Sequence, residues 1–189
     1  PVTHNNLKQL KPKAVIEQLK PILEDKNKLQ IVQNAKFEHS IFKRLGIKLH
    51  SNFFDTMLAS YIDNPSNKHG LKAQARRLLG LKMKDIEDLI GSGKKQITID
   101  FAGIEQVANY AACDAHATYL LYEHYQNKLD KREIKLLETL EFPLVETLRE
   151  IEDNGVSIDV PFLKELSADI HHKINNIEQK IWLNSGENF

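Results

Sequence analysis

From Ile104 to Lys128 the chain runs without a proline, and Val107, Ala108, Ala111, Ala112, Ala115, Tyr119, Leu120 and Tyr122 recur along it. That stretch predicts one long helix. Upstream of it, short apolar runs of strand length alternate with helical patterns. Pro12 opens a helix carrying Val15, Ile16, Leu19, Ile22 and Leu23, and residues 29–33 form a strand candidate. Phe37, Ile41, Phe42 and Leu45 then return to helical period, with Gly46 as the C-cap. Phe53 and Phe54 form a second strand, and Met57, Leu58 and Tyr61 fit a helix that stops at the turn Asn64-Pro65-Ser66-Asn67. Strand and helix in alternation predict an α/β domain. The opening residues 1–4 read as the exit from a strand.

The second half of the chain reads as helical. Lys72, Arg76 and Arg77 lie on a helix between Gly70 and Gly80, and a short helix near Ile86 to Ile90 leads into a loop over residues 91–95. A further long helix is predicted from about residue 133 to residue 153, kinked at Pro143 and stopped by Asn154-Gly155. Pro161 opens a last helix, with Leu163, Leu166, Ile170, Ile174, Ile177 and Ile181 along one side. Such a stripe calls for a partner surface. The domain boundary falls between Asn127 and Lys135, where Lys, Asp, Arg and Glu crowd together.

Composition narrows the class. The chain has 189 residues, 41% hydrophobic and 28% charged, values of a folded domain that argue against disorder or low-complexity sequence. No apolar stretch is long enough for a transmembrane helix and residues 1–4 are no signal peptide, which predicts a cytoplasmic protein without a membrane partner. Cys113 is the single cysteine, so neither an internal disulfide nor a structural zinc site is expected, and a small core residue is its simplest role. Lys plus Arg and Asp plus Glu both total 26, giving no net charge. A nucleic-acid partner would have to be met by a local patch.

Few residues offer chemistry. Tyr110 and Asp114 stand four apart on the long helix, so both project from one face a single turn apart. A carboxylate is a hard ligand for Mg²⁺ or Mn²⁺, and a phenol one turn away can orient a water. The same spacing also suits a half-buried Tyr beside a solvated Asp. Glu38 follows the first strand, at the strand end where α/β sheets place their sites, but a Glu in a first helical turn also complements the helix dipole. Asp55 reads as the N-cap of the helix carrying Met57 and Leu58. His171 and His172 point about 100° apart on a helix and belong to a solvated face. Residues 91–94 lack the spacing of a P-loop. Lys68, Lys72, Arg76, Lys94 and Lys95 suit either phosphates or a solvated surface.

Three segments taken together resemble a known family. Gln33-Asn34-Ala35-Lys36-Phe37-Glu38, Phe54-Asp55-Thr56-Met57-Leu58-Ala59-Ser60-Tyr61 and Tyr110-Ala111-Ala112-Cys113-Asp114-Ala115 look like successive landmarks of the 3′→5′ exonuclease domain of the family A DNA polymerases. The segment from Glu141 to Asp159 resembles the passage from exonuclease into polymerase, which separates the chain from ribonuclease D relatives. The resemblance implies a ribonuclease-H-like α/β fold over residues 1–130, with its N-terminal strands missing, followed by the first long helices of the polymerase domain over residues 131–189. It implies two-metal hydrolysis of phosphodiesters at the 3′ end of single-stranded DNA, with two Mg²⁺ or Mn²⁺ ions. Asp114 matches a metal ligand, Glu38 stands where the family has an aspartate ligand, and Tyr110 matches the tyrosine that orients the attacking water. Gln33, Asn34 and Lys36 would flank the strand end and Lys68 would touch a phosphate. The remaining partner is the rest of the same polymerase chain, in a monomer. The family's first motif, Asp-x-Glu on the first strand, is not found and is expected upstream of Pro1. With Glu38 in place of Asp, this sets the competing expectation of a non-catalytic scaffold that supports the polymerase.

Overall fold

The computed structural model describes residues 10–186, so the strand exit expected at residues 1–4 lies outside the described residues. Helix α1 (Pro12–Leu23) begins on its proline, which donates no hydrogen bond and suits a first turn. It is tied to the loop before the second strand, where Lys20 Nζ donates to the Gly46 carbonyl at 2.7 Å and Glu24 Oε1 accepts from the Lys48 amide at 2.9 Å.

Strands β1 (Gln30–Val32) and β2 (Phe53–Asp55) pair in parallel, with Gln30 opposite Phe53, Ile31 opposite Phe54 and Val32 opposite Asp55. Parallel neighbours need a crossover, and α2 (Ala35–Arg44) supplies it. All three residues of β2 are buried, the pattern of a strand covered on both faces. Chain direction changes sharply at Asn34, whose φ of 73° makes it the only non-glycine residue in the left-handed region among those described. Asparagine tolerates that region better than most side chains.

Helices α3 (Thr56–Asp63) and α4 (Leu71–Leu79) follow, then the single turn α5 (Glu87–Ile90). The loop expected at residues 91–95 contains one 3-10 turn, Gly93–Lys95. Helix α6 (Ile104–Lys128) is the predicted long element, and it packs on α4, α3 and β1. Its buried residues, Ala117, Thr118, Leu121 and Tyr125, all lie in its C-terminal half. Cys113, expected in the core, is exposed. The core instead gathers Phe53, Phe54, Leu121, Tyr125 and Leu129 with Leu137, Phe142 and Val145. Its aromatic contacts include Phe53 to Phe142 at 5.1 Å and Phe54 to Tyr122 at 5.0 Å between ring centroids.

Asp130 and Glu133 form a capping box that starts α7 (Lys131–Leu136). The predicted kink at Pro143 takes the form of a π-helical turn, Leu137–Glu141, before α8 (Phe142–Asn154). Pro143 has no N–H for an ordinary helical bond. The wider turn absorbs the break, with the Phe142 amide donating to the Leu137 carbonyl.

By packing, one compact unit runs through Ile151 and a second begins at Glu152. The second contains α9 (Val160–Ser185), capped by Asp159 at the Phe162 amide and ended by Gly186 at φ 75°. It runs four residues past the predicted end at Ile181. None of its residues is buried, and the stripe from Leu163 to Ile181 is open to solvent. Among the described residues no helix is long and apolar enough to cross a membrane.

Candidate active site

The parallel pair places two helix N-termini around one carboxylate. Asp55 Oδ1 accepts from the amides of Met57 at 2.8 Å and Leu58 at 3.4 Å, which is the expected cap of α3. The same side chain reaches across to the start of α2, where Oδ1 accepts from Asn34 at 3.1 Å and Oδ2 from Ala35 at 2.7 Å. Asp55 is 1% exposed. Burial pushes its carboxyl above the usual range, and the four N–H groups pull against that without overcoming it. One turn further along α2 stands Glu38, half-buried, its own amide held by the Asn34 carbonyl at 3.2 Å. Burial raises the Glu38 carboxyl and the negative charge of Asp55 adds to the rise.

The N-terminal half of α6 carries the other expected residues. Tyr110 and Asp114 both line a cleft of about 450 Å³ whose opposite wall is Leu81, Lys82, Met83, Lys84, Asp88 and Leu89. Burial lifts the Asp114 carboxyl above its ordinary range, and the charge of Lys72 offsets part of that. Asp114 Oδ1 is a buried atom with no hydrogen-bond partner among the described residues. In the sequence Lys72 is one of several cations that suit either phosphates or a solvated surface. Its Nζ donates to the Tyr110 hydroxyl at 3.2 Å, lies 5.0 Å from that ring's centroid and pairs with Asp85 at 3.3 Å. Burial opposes the Lys72 charge, but the bonds to Tyr110 and Asp85 prevail and raise it above the ordinary lysine range. Lys72 and Tyr110 are 38 positions apart, and no local pattern could have joined them.

The expected DNA contacts are differently placed. Gln33 is engaged within the protein: its Nε2 donates to the His69 carbonyl at 2.9 Å, and its Oε1 accepts from Thr56 Oγ1 at 2.5 Å and Gln74 Nε2 at 3.3 Å. Gln74, fully buried, also accepts from the Tyr125 hydroxyl at 2.8 Å, so this network ties the end of β1 to α3, α4 and α6. Asn34 and Lys36 sit at the N-terminal end of α2, beside Glu38. Lys68 is exposed before α4, its carbonyl accepting from Arg77. His171 and His172 are exposed on α9, as expected.

The charge acting on Glu38 is Asp55, and that acting on Asp114 is Lys72. Among the described residues no group of three His, Cys, Asp or Glu side chains is placed to hold an ion. The donors nevertheless fit a hard divalent cation in kind. Asp114 presents a buried oxygen that no N–H or O–H satisfies, and Glu38 is a second carboxylate under strain from burial. Glu38 is not among the residues that line the cleft beside Asp114.

Comparison with known proteins shows the family. A family model described as 3′-5′ exonuclease matches residues 1–130. DNA polymerase I of Pseudomonas aeruginosa is 34% identical over 100% of this chain and 22% of its own length. DNA polymerase I of Synechocystis is 35% identical over 100% of the chain and 19% of its own, and the DNA polymerase of Escherichia phage T5 is 30% identical over 87% and 21%. The chain spans about a fifth of the length of the relatives it matches. With that family match and with similarity to DNA polymerase I along its whole length, the chain belongs to the 3′-5′ exonuclease family of DNA polymerase I.

Proposed function

We propose that residues 1–130 are the proofreading exonuclease domain of a DNA polymerase I, with a ribonuclease-H-like fold, and that residues 131–189 open its polymerase domain. The enzyme removes nucleotides from the 3′ end of a single DNA strand, as a monomer in the cytoplasm, where bacterial DNA lies. The observation that carries this reading is the unsatisfied buried oxygen of Asp114, one turn from Tyr110 on the wall of an open cleft. A buried carboxylate oxygen without a partner is costly, and a cation is the partner it lacks.

Asp114 and Glu38 would hold Mg²⁺ or Mn²⁺, which when bound supplies charge neutralisation at the phosphate and a more acidic water. Tyr110 has a hydroxyl at the cleft wall that can orient the water for attack on the terminal phosphodiester. Asn34 and Lys36, at the N-terminus of α2, flank the strand end, where the positive charge of the lysine favours phosphate. Lys68 meets a phosphate from the start of α4. Gln33 acts from inside, shaping the β1 exit through its bonds to Thr56, His69 and Gln74.

Two observations favour a non-catalytic scaffold instead. Among the described residues the carboxylates form no group of three, and Glu38 carries one methylene more than Asp. Digestion of 3′-labelled single-stranded DNA by the full-length protein with Mg²⁺ or Mn²⁺ separates the two. Stepwise shortening is expected, with Asp114→Ala slowing it about 100-fold or more, since a metal ligand controls several kcal/mol of transition-state stabilisation. Primer extension without any shortening would leave the scaffold as the correct reading.

A further inference from the structure

We propose that Lys72 is a positioning residue of this exonuclease site, orienting the Tyr110 hydroxyl so that its proton is offered to the cleft; the inference rests on the exonuclease reading above. An ammonium group has three donors and no acceptor. A phenol oxygen that accepts from it must send its own O–H in another direction. The Tyr110 hydroxyl has Lys72 as its hydrogen-bond partner at 3.2 Å and no second one among the described residues. Because Tyr110 lines the cleft, the free O–H is available to a water or phosphate oxygen there.

The ammonium is itself held in place. It belongs to α4, which packs against α6, and Asp85 fixes it from the segment between α4 and α5 at 3.3 Å. That segment and α5 supply the facing wall of the cleft, from Leu81 to Lys84 and at Asp88 and Leu89. Asp85 is steadied in turn, its amide donating to Asp88 Oδ2 at 2.9 Å. Lys72 therefore joins the two walls through one charge and sets a hydroxyl on one of them. A lysine that served only as a phosphate contact would not need its ammonium lodged between a phenol and a carboxylate.

Two readouts on the full-length protein test the idea. Fluorine NMR of fluorotyrosine-labelled protein follows Tyr110 directly, its resonance identified by loss in Tyr110→Phe. Lys72→Met should move that resonance and Lys72→Arg should largely restore it. On 3′-labelled single-stranded DNA, Lys72→Met should slow the single-turnover rate about tenfold, the worth of one charged hydrogen bond, with KM little changed. In the Tyr110→Phe background the same substitution should cost nothing further, because the hydroxyl it acts through is gone. An unmoved Tyr110 resonance overturns the proposal. So do equal losses in both backgrounds with a raised KM and a changed salt dependence, which would make Lys72 a direct phosphate contact. A wild-type protein that shortens no DNA overturns the exonuclease reading together with the positioning role of Lys72. Normal shortening by Lys72→Met overturns the Lys72 inference alone.

Discussion

Asp55 is where a single substitution should separate two structural roles. Its carboxylate, 1% exposed, serves four backbone amides on two helices: Met57 and Leu58 at the start of α3, Asn34 and Ala35 at the start of α2. Asp55→Ala removes an N-cap, worth about 1 kcal/mol. It also strands the Asn34 and Ala35 donors in or near the core, at about 1–2 kcal/mol each. The expected total is about 3–5 kcal/mol, large for one side chain in a domain whose whole stability is of order 5–15 kcal/mol. Asp55→Asn keeps an oxygen where Oδ1 serves Met57, Leu58 and Asn34, but turns an NH₂ toward the Ala35 amide. It should lose about 2 kcal/mol, roughly the cost of one buried donor left facing another. Urea unfolding with unchanged m-values gives both numbers. Because Ala35 begins the helix that carries Glu38, each variant should also slow 3′-end digestion under conditions where it remains folded. A loss under about 1 kcal/mol for Asp55→Ala, or equal losses for the two variants, would refute the two-helix account.

Two further outcomes follow from burial and packing. Glu38 and Asp114 both have carboxyls raised chiefly by burial, so the folded state holds their protons more tightly than the unfolded chain and loses stability as pH rises from the ordinary carboxylate value through the raised one. Glu38→Gln and Asp114→Asn should therefore each raise the melting temperature at neutral pH, by an increment worth under about 1 kcal/mol after solvent screening, and the gain should shrink toward pH 4; a destabilised Asp114→Asn at neutral pH would contradict this. A chain stopped after residue 130 loses Leu137, Phe142 and Val145 from the core, about 5–9 kcal/mol of burial at 1.5–3 kcal/mol for each side chain. It should show weak near-ultraviolet dichroism and bind a hydrophobic dye, whereas a chain stopped after residue 154 should show neither.

Periodicity made the element order legible, since strands and helices here carry clean apolar spacing and clear stops such as Gly46 and Gly80. Periodicity does not place Cys113, which is exposed, because the small residues of α6 look alike along its length while only the C-terminal half meets the core. Pro143 signalled a break without saying whether the helix would bend or widen, and the π-helical turn keeps both Leu137 and Phe142 in the core. At the site, Tyr110 and Asp114 were readable from spacing, and Asp55 was readable as a cap. The second half of the Asp55 role was not, because Asn34 and Ala35 lie about twenty residues away and meet it only through the β1–β2 register. The Lys72 contact and the Gln33 network were hidden for the same reason: they join side chains 23 to 41 positions apart.

The three raised carboxyls differ in one respect that burial and charge do not capture. Asp55 is the most deeply buried of them, yet each of its oxygens meets backbone donors, so its cost is met within the fold. Glu38 and Asp114 are less buried but receive no backbone N–H among the described residues, and Asp114 keeps one buried oxygen without any partner. Folding alone would not favour that arrangement, because replacing either group by an amide or an apolar side chain would remove a desolvated charge. What sorts a structural carboxylate from a ligand is thus the satisfaction of its oxygens. By that measure Asp55 belongs to the scaffold, while Asp114 keeps a buried oxygen whose cost a bound cation would relieve, in proportion to its concentration over its dissociation constant. Lys72 offsets part of the charge at Asp114, but its hydrogen bonds go to Tyr110 and Asp85, which leaves the Asp114 oxygen open to a metal.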